Sequence, residues 1–233
     1  MIATLQAPEA LPYLLLHDIS WQGYEHMLRA LEGRRLRITY DEGSLEIMAV
    51  SHEHEFDGEL LSRMVHMTTF ELHMPIHSGG STTFKDEALE KGLEPDKCYW
   101  IQNEKRMRGK KKFVINRDPP PDLALEIEIT RSALDRLGIY AALRVPEVWR
   151  CDGESLRILH LAGNGKYREK THSLAFPFLP MDKVLEFLKQ AENIDETTLM
   201  HSFVAWLREE IAPALKQAAG KVKTEKNGRR SGK

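Results

Sequence analysis

The hydrophobic pattern changes period twice within the first third of the chain. Over 21–31 and again over 52–67, apolar residues recur at helical spacing, and each stretch follows a serine that can cap a helix, Ser20 or Ser51. Between them, over 36–48, apolar and polar residues alternate around a short turn that contains glycine, which is typical of a β-hairpin. The pattern therefore predicts a helix, a hairpin and a second helix.

Short strands and helices alternate along the rest of the chain, separated by turns rich in glycine, proline and asparagine. The predicted strands cover 76–78, 81–84, 98–101, 122–130, 147–151, 156–161 and 166–170, and the predicted helices cover 134–143, 182–191 and 195–211, with Pro213 as the stop. The succession of strand, helix and strand over 122–151 favours an α/β (α+β) fold with a central mixed sheet flanked by helices.

The formal net charge of −2 is unevenly distributed. Residues 216–233 contain seven Lys or Arg and one acid, which leaves −8 for the remainder. We expect an N-terminal extension over 1–18, one domain over 19–212 and a basic tail over 213–233. The tail fits two interpretations, a disordered solubilising end or a segment that holds phosphates without sequence specificity.

Hydrophobicity, cysteine count and the first residues together indicate where in the cell the protein is located. No apolar run approaches the roughly 20 residues of a membrane helix, so no membrane contact is predicted. Cys98 and Cys151 are the only cysteines, too few for a disulfide framework or a thiolate zinc site. The first residues also lack a basic leader with a clear cleavage site. The prediction is a cytoplasmic protein.

Two acidic segments carry the candidate chemistry. Asp96 stands at the start of one predicted strand, and Glu126 and Glu128 alternate with Leu125 and Ile127 along another. A period of two places the carboxylates on one face and the apolar residues on the other. Mg²⁺ needs only one or two carboxylates beside a substrate phosphate, and a bound metal activates water for phosphodiester hydrolysis. By spacing alone, the carboxylates equally fit the solvated face of a strand.

Three ordered motifs resemble the Uma family of restriction endonucleases. They cover EKGLEPDKCY at 90–99, DPPPDLALEIEIT at 118–130 and LDRLGIYAALRVPEVW at 134–149, and the likeness extends from Ser20 to Trp206. This resemblance implies the PD-(D/E)xK nuclease fold, a restriction-endonuclease-like core with an added N-terminal helix and hairpin and added C-terminal helices. It also implies a DNA-cleaving site that uses Mg²⁺, with Mn²⁺ as a possible substitute.

Carried over by motif, Asp96 and Glu126 are the implied magnesium ligands. The superfamily usually has a lysine two residues after the second acid, but this chain has Glu128 there. Members of the family commonly carry the basic residue four positions before a tyrosine on the following helix. The matching residue here is Arg136, before Tyr140.

Arg136 changes the expected chemistry, because a guanidinium with a pKa above about 12 cannot act as a general base. Its donors could still hold a phosphate oxygen and stabilise the transition state. Water activation would then fall to the metal alone or to Glu128. The alternative for Arg136 is a surface salt bridge with Asp135 or Glu147, of little worth to stability.

The turn into the second predicted helix supplies further candidates. Glu55 lies where related nucleases often place a third acid. His54 fits a capping turn or a phosphate contact. A zinc site with His52 is a weaker reading, because the spacing of two residues puts the rings on different sides of a helix.

A basic loop separates the two acidic motifs. Six of its eight residues over 105–112 are cationic: Lys105, Arg106, Arg108, Lys110, Lys111 and Lys112. Such a loop could follow a DNA backbone without reading sequence, or it could be a solvated loop.

The sequence therefore predicts a Mg²⁺-dependent endodeoxyribonuclease, a hydrolase whose partner is DNA. The alternative is a nuclease-fold protein without the chemistry that acts as a DNA-binding or scaffold module. Cleavage of RNA is a weaker third reading. A homodimer is a possible assembly, because cutting both strands of a duplex favours twofold symmetry.

Overall fold

The computed structural model describes residues 13–128 and 132–218. Most of the expected N-terminal extension, the predicted strand end at 129–130 and the tail over 219–233 lie outside these ranges. The strands are β1 (Tyr13–Leu16), β2 (Leu36–Asp41), β3 (Ser44–Ala49), β4 (His77–Ser78), β5 (Phe84–Asp86), β6 (Lys91–Leu93), β7 (Lys97–Trp100), β8 (Leu123–Ile127), β9 (Glu147–Cys151), β10 (Leu156–Leu161) and β11 (Tyr167–Lys170). The α-helices are α1 (Trp21–Ala30), α2 (His52–Glu71), α3 (Glu104–Met107), α4 (Arg136–Ala142), α5 (Met181–Gln190) and α6 (Glu196–Trp206).

The first sheet is antiparallel, with strand order β1-β3-β2-β6-β5. The predicted hairpin is confirmed as β2 and β3, which pair from end to end around a turn where Gly43 has φ 88°, a conformation that glycine adopts readily. The apolar face of the hairpin packs against Trp21 and Tyr24 of α1. Its other face carries polar side chains toward the second sheet.

The second sheet is mixed, with strand order β11-β10-β9-β8-β7-β4. Strands β8 and β9 are parallel and joined through α4, whereas the other pairs are antiparallel. This arrangement confirms the predicted α/β fold with a central mixed sheet flanked by helices. All five residues of β8 are buried, because helices cover both faces of the sheet.

The two faces of the second sheet belong to different cores. Leu123, Leu125 and Ile127 point into the larger core with α2, α5 and α6. Ala124 points into the core that includes residues of α4. Each core contains one buried free cysteine, Cys151 in the first and Cys98 in the second.

The C-terminal helix does not end at Pro213, and that prediction was wrong. Helical conformation continues through residue 218. A π-turn over Leu207–Ile211 precedes the proline, with the Ala212 N–H donating to the Leu207 carbonyl. Proline normally breaks a helix because it lacks an N–H and its ring meets the carbonyl four residues earlier. The wider π-turn changes that register just before the ring.

Three elements were not predicted: β1, β6 and α3. β1 lies within the expected N-terminal extension and pairs with β3, so residues 13–16 belong to the first sheet. β6 is only three residues long, and α3 forms inside the basic loop. None of the helices within 13–128 and 132–218 is long and apolar enough to span a bilayer.

Helix α4 ends in a Schellman motif. The Val145 N–H donates to the Tyr140 carbonyl (3.0 Å) and the Arg144 N–H to the Ala141 carbonyl (3.0 Å). Arg144 occupies the left-handed position of this motif with φ 60°, where glycine is the usual residue. An L-residue pays roughly 1–2 kcal/mol for left-handed backbone.

We expect Arg144→Gly to increase the free energy of unfolding by about 0.5–1 kcal/mol. Relief of the left-handed backbone outweighs the greater entropy that glycine gives the unfolded chain. Urea denaturation followed by circular dichroism measures the change. Arg144→Ala, which keeps the Cβ, is the matched control and should leave stability almost unchanged; a glycine variant no more stable than the alanine variant would contradict the prediction.

Candidate functional site

The register of β7 on β8 brings the two predicted acids to one end of the sheet. Lys97 pairs with Leu125, so Asp96 lies just before β7 beside the C-terminal half of β8. The Asp96 N–H donates to the Leu125 carbonyl (3.1 Å), and Asp96 Oδ2 accepts the Ile127 N–H (2.5 Å). Asp96 therefore reaches the strand residues on either side of Glu126.

Glu126 is buried and held by α4. Arg136 donates from Nη2 to Oε1 (2.7 Å) and from Nε to Oε2 (3.1 Å) of Glu126, a bidentate ion pair. The Tyr140 hydroxyl also donates to Glu126 Oε1. The solvated-face alternative for Glu126 was therefore wrong, because α4 covers this face of β8.

The alternative for Arg136 was also wrong. It is 8% exposed and pairs with neither Asp135 nor Glu147. Asp135 caps α4 by accepting the Gly138 N–H, and Glu147 accepts from the Trp149 indole. A buried ion pair replaces the expected surface salt bridge.

The remaining donors of Arg136 extend into the first sheet. Nη1 donates to Thr39 Oγ1 on β2 (2.6 Å), and Nη2 donates to the Glu94 carbonyl (2.8 Å). Burial opposes the charged form of both partners, but their attraction outweighs it. The pKa of Glu126 is therefore lowered and the pKa of Arg136 is raised. Both groups are charged at neutral pH, and Arg136 cannot act as a base.

Asp96 has a second arginine beside it. Arg37 of β2 forms an ion pair with Asp96 Oδ1, and His54 Nε2 lies 3.2 Å from the same oxygen. The Arg37 guanidinium and the His54 ring therefore already surround this buried oxygen. A ligand at Asp96 Oδ1 would have to share it with them.

His54 contributes through its backbone and its ring. Its N–H donates to Ser51 Oγ (3.2 Å), which confirms the predicted capping turn. Burial, reinforced by the charge of Arg37, lowers the pKa of His54 to about 4. The ring is therefore neutral at physiological pH. Its predicted contact with phosphate remains a prediction.

Arg37, His54, Glu126 and Arg136 line a cleft between the two sheets, whose open space, solvent at its mouth included, is ≈ 390 Å³. Asp96 is buried beside these residues and is not part of the cleft wall. The wall contains Arg37, Glu46, Met48, His54, Glu126, Ile127, Glu128, Ser132, Arg136 and Arg150. Glu128 is half-buried and pairs with Arg150 (Oε2 to Nε, 3.2 Å). Glu46 accepts the Ser132 hydroxyl (2.7 Å) and the Ala133 N–H (2.5 Å). Cations and carboxylates alternate around the cleft.

The sequence reading missed the contribution of the hairpin. Arg37 and Thr39 alternate with apolar residues along β2, and Glu46 pairs opposite Thr39 on β3. The period of two that predicted the hairpin also places these polar residues on one face. Arg150 had no comparable signal, because its partner Glu128 lies on a neighbouring strand.

Other predicted site residues lie elsewhere. Glu55 is exposed on the first turn of α2 and does not line the cleft. His52 is exposed too. Over the described residues, no three His, Cys, Asp or Glu side chains converge as a metal-ligand cluster. The zinc reading therefore receives no support from this turn.

The basic loop lies at the opposite end of the sheet from the acids. Asp122, at the start of β8, accepts the N–H groups of Ile101 (2.7 Å) and Asn103 (2.9 Å), which anchors the loop there. Glu126 lies four positions after Asp122 along the strand, a span of about 13 Å. Two of the six cations pair within the loop region, Arg108 with Glu104 and Lys110 with Asp118. The structure does not bring the loop to the cleft.

The cleft can be tested for its fit to a divalent cation. Asp96 and Glu126 offer hard carboxylate oxygens, and Arg37 already pairs with Asp96 Oδ1. Mg²⁺ needs one or two such carboxylates and completes its shell with water and phosphate. The donor set fits this ion, although Arg136 already contacts both oxygens of Glu126.

Comparison with known proteins identifies one family. The profile of Uma2, described as "Putative restriction endonuclease", matches residues 21–190. Among solved structures, the chain is similar to a protein described as a putative nuclease belonging to DUF820 from Anabaena variabilis, with 13% identity and a TM-score of 0.46. That similarity covers 78% of this chain and 98% of the other. No curated protein matches the chain.

We expect Arg136→Met to lower the free energy of unfolding by about 3 kcal/mol, because it leaves Glu126 buried without its counter-charge. The double variant Arg136→Met, Glu126→Leu should recover most of this loss, since no unpaired charge remains. Urea denaturation measures both. A single variant as stable as the wild type, or a double variant less stable than the single, would refute the account.

A charge-matched control is Arg168→Met, which removes an exposed arginine from β11 and should change stability by less than about 0.5 kcal/mol. The deficit of Arg136→Met should also shrink as pH falls below neutrality, because the unpaired Glu126 can take up a proton. The wild type should instead lose stability as the pH falls. Because the pKa of Glu126 is lower in the folded than in the unfolded protein, where it is about 4.3, the ionised carboxylate stabilises the fold above that pH, and this contribution is lost in acid.

Proposed function

The chain belongs to the Uma2 family, described as "Putative restriction endonuclease", and from that premise we propose that it is a Mg²⁺-dependent endonuclease that hydrolyses DNA phosphodiester bonds. The observation that carries the proposal is the convergence of Asp96 and Glu126 at one end of β7 and β8, beside a cleft whose wall contains Arg37, Arg136 and Arg150 as well as glutamates.

In this proposal Asp96 and Glu126 hold the metal, with Mn²⁺ as a possible substitute. When bound, the ion lowers the pKa of a coordinated water and offsets charge on the phosphate. The Ile127 N–H fixes Oδ2 of Asp96, and the metal would share Oδ1 with Arg37. Tyr140 helps to orient Glu126 by donating its hydroxyl to Oε1.

Arg136 takes the place of the usual lysine but performs a different task. Its raised pKa keeps it protonated, so it binds and neutralises an anion and does not accept a proton. Its fork of N–H groups matches the oxygens of a phosphate as well as those of Glu126. Arg37 supplies a second positive charge beside Asp96. In this proposal a phosphate shares both arginines with the carboxylates that they neutralise.

The carboxylate beside the cleft with the freest access is Glu128. It is half-buried, and its partner Arg150 lies 3.2 Å away at the cleft wall. We propose that Glu128 orients the attacking water. In the usual superfamily pattern, a lysine at this position takes part in that role. Glu55, which is exposed outside the cleft, ranks below it as an assisting acid.

A second candidate function is a DNA-binding or scaffold module without catalysis. The observation that favours it is the bidentate contact of Arg136 with both oxygens of Glu126, which a metal must displace or share. Fold alone does not decide between the two functions. A cytoplasmic location and a homodimer that cuts both strands remain predictions.

We expect nicking or linearisation of plasmid DNA in Mg²⁺ or Mn²⁺, with Asp96→Asn and Glu126→Gln each reducing the rate by at least about 100-fold. The double variant should be no worse than either single, because ligands of one centre act as a unit. Glu53→Gln removes an exposed acid from the first turn of α2, next to His54. It is the control for a general effect of lost negative charge. Equal cleavage by all preparations would reveal a contaminating nuclease.

Metal binding separates the two candidate functions. The enzyme proposal expects Mn²⁺ to bind the wild type in the roughly micromolar-to-millimolar range and Asp96→Asn to weaken it by about 10-fold or more. Because Arg136 competes for Glu126, Arg136→Met should tighten binding. Calorimetric titration measures all three. Affinity that is absent, or that does not change with Asp96→Asn, would favour the non-catalytic module.

A further inference from the structure

We propose that a second cleft, at the other end of α4 from Glu126, binds the phosphodiester backbone of DNA through Arg106, Arg117 and Arg144. The choice of DNA as the polyanion rests on the proposed function, whereas the anion site itself rests on the geometry below. None of these arginines lines the candidate metal site.

The cleft forms where the 103–120 loop meets the end of α4 and the turn after β5. Its open space, solvent at the mouth included, is ≈ 1260 Å³. Its walls are Asp86, Ala88, Leu89, Asn103, Arg106, Phe113, Ile115, Asn116, Arg117, Asp118, Pro119, Pro120, Ala142, Leu143 and Arg144. Apolar residues make part of the wall, and all three arginines are exposed to solvent. A ligand would therefore meet three guanidinium groups from two chain segments.

The positive charge of this cleft is not cancelled by its own carboxylates. Asp86 accepts from Asn116 Nδ2 (3.0 Å) and from the Ala88 N–H (3.0 Å). Asp118 is held by Lys110 and the Val114 N–H. Over 13–128 and 132–218, no carboxylate lies within 4 Å of the Arg106, Arg117 or Arg144 guanidinium groups. These cations are available to an external anion.

The backbone at Arg144 is a second, independent observation. This residue holds the left-handed position that ends α4, where glycine would be less strained. Strained backbone of this kind clusters at ligand-binding and switch sites. An arginine here presents its charge at the mouth of the cleft, which glycine would not do.

The cleft suits a phosphate backbone better than a base. Its aromatic ring, Phe113, packs against Phe84 (centroids 4.9 Å apart) and Trp100 (5.9 Å) and so is already engaged in the core. Arginine forks match phosphate oxygens, and Lys105, Lys111 and Lys112 extend the positive surface along the same loop. Such contacts position a duplex without reading its sequence.

The spacing between the two clefts is compatible with one duplex. Arg136 begins α4 and Arg144 follows the end of that helix, eight residues later, which corresponds to about 12 Å along the helix axis. That distance is the axial rise of roughly three to four base pairs. A duplex held at the second cleft could therefore extend to the candidate metal site.

The test measures anisotropy of a fluorescein-labelled duplex of about 20 base pairs with the full chain, in EDTA so that no cleavage occurs. We expect Arg117→Gln and Arg144→Gly each to weaken binding roughly 5- to 10-fold near 0.1 M salt. Each should also reduce the slope of log K against log salt by about 0.9. Arg144→Gly should meanwhile raise the melting temperature, so its loss of binding cannot be a loss of folding.

Arg168→Gln, an exposed arginine on β11, is the matched control and should bind DNA like the wild type. The proposal is overturned if the wild type does not bind, if Arg117→Gln and Arg144→Gly bind normally, or if the control loses as much. It is also overturned if polyglutamate, or inorganic phosphate at equal ionic strength, displaces the duplex as well as unlabelled DNA does. Those outcomes would indicate an acidic-protein site or a small-anion site.

The experiment separates this inference from the proposed function. If Asp96→Asn abolishes cleavage but the arginine variants bind normally, only the second cleft is refuted. If binding depends on the arginines and no preparation cleaves DNA, the nuclease proposal fails and the second cleft stands.

Discussion

Burial of Glu126 with Arg136 is the constraint on which the site depends. Two opposite charges removed from water are tolerated only when each finds its partner and most remaining donors are used. Arg136 meets this demand with contacts to Glu126, Thr39 and the Glu94 carbonyl. Those partners lie on β8, on β2 and just before β7. One guanidinium therefore ties α4 to both sheets and fixes the cleft between them.

The arginine–carboxylate pairs both stabilise the acids of the cleft and compete with a metal ion for them. Asp96 and Glu126 would repel each other if they stood alone, and Arg37 and Arg136 remove that repulsion without any metal. The protein can therefore fold with its carboxylates ionised and close together. A divalent cation entering the cleft must share carboxylates that are already neutralised. Preorganisation of the acids and competition for them arise from the same two arginines.

Local pattern predicted much of the fold but little of the pairing between distant segments. The hairpin, the strand–helix–strand unit and the capped helices follow from periodicity and turn residues, which act over a few positions. β6 carries no such signal: Gly92 leaves no room for a Cβ against the Tyr24 ring, a contact invisible in sequence. The helix beyond Pro213 depends on a π-turn that the proline rule does not anticipate.

The candidate site divides in the same way. Asp96 and Glu126 were predicted as site residues from their motifs, and the alternation along β8 placed Glu126 apart from the apolar face. Burial of Glu126 was not foreseen, because whether alternating acids meet water depends on what covers the strand. Arg37 was missed because its partner lies 59 residues away in the sequence. The role of a charged residue in the hairpin can be recognised only when the position of the second sheet is known.

The two cysteines give this protein a built-in pair of chemical reporters. Burial raises the pKa of Cys98 to about 12 and that of Cys151 to about 11, so neither thiol is reactive in the folded state. They lie in different cores, on opposite faces of the second sheet. The alkylation rate of each cysteine therefore reports how often the core that contains it opens. Alkylation of the wild-type protein, without any added cysteine, can thus show whether the α4 layer opens independently of the layer formed by α2, α5 and α6.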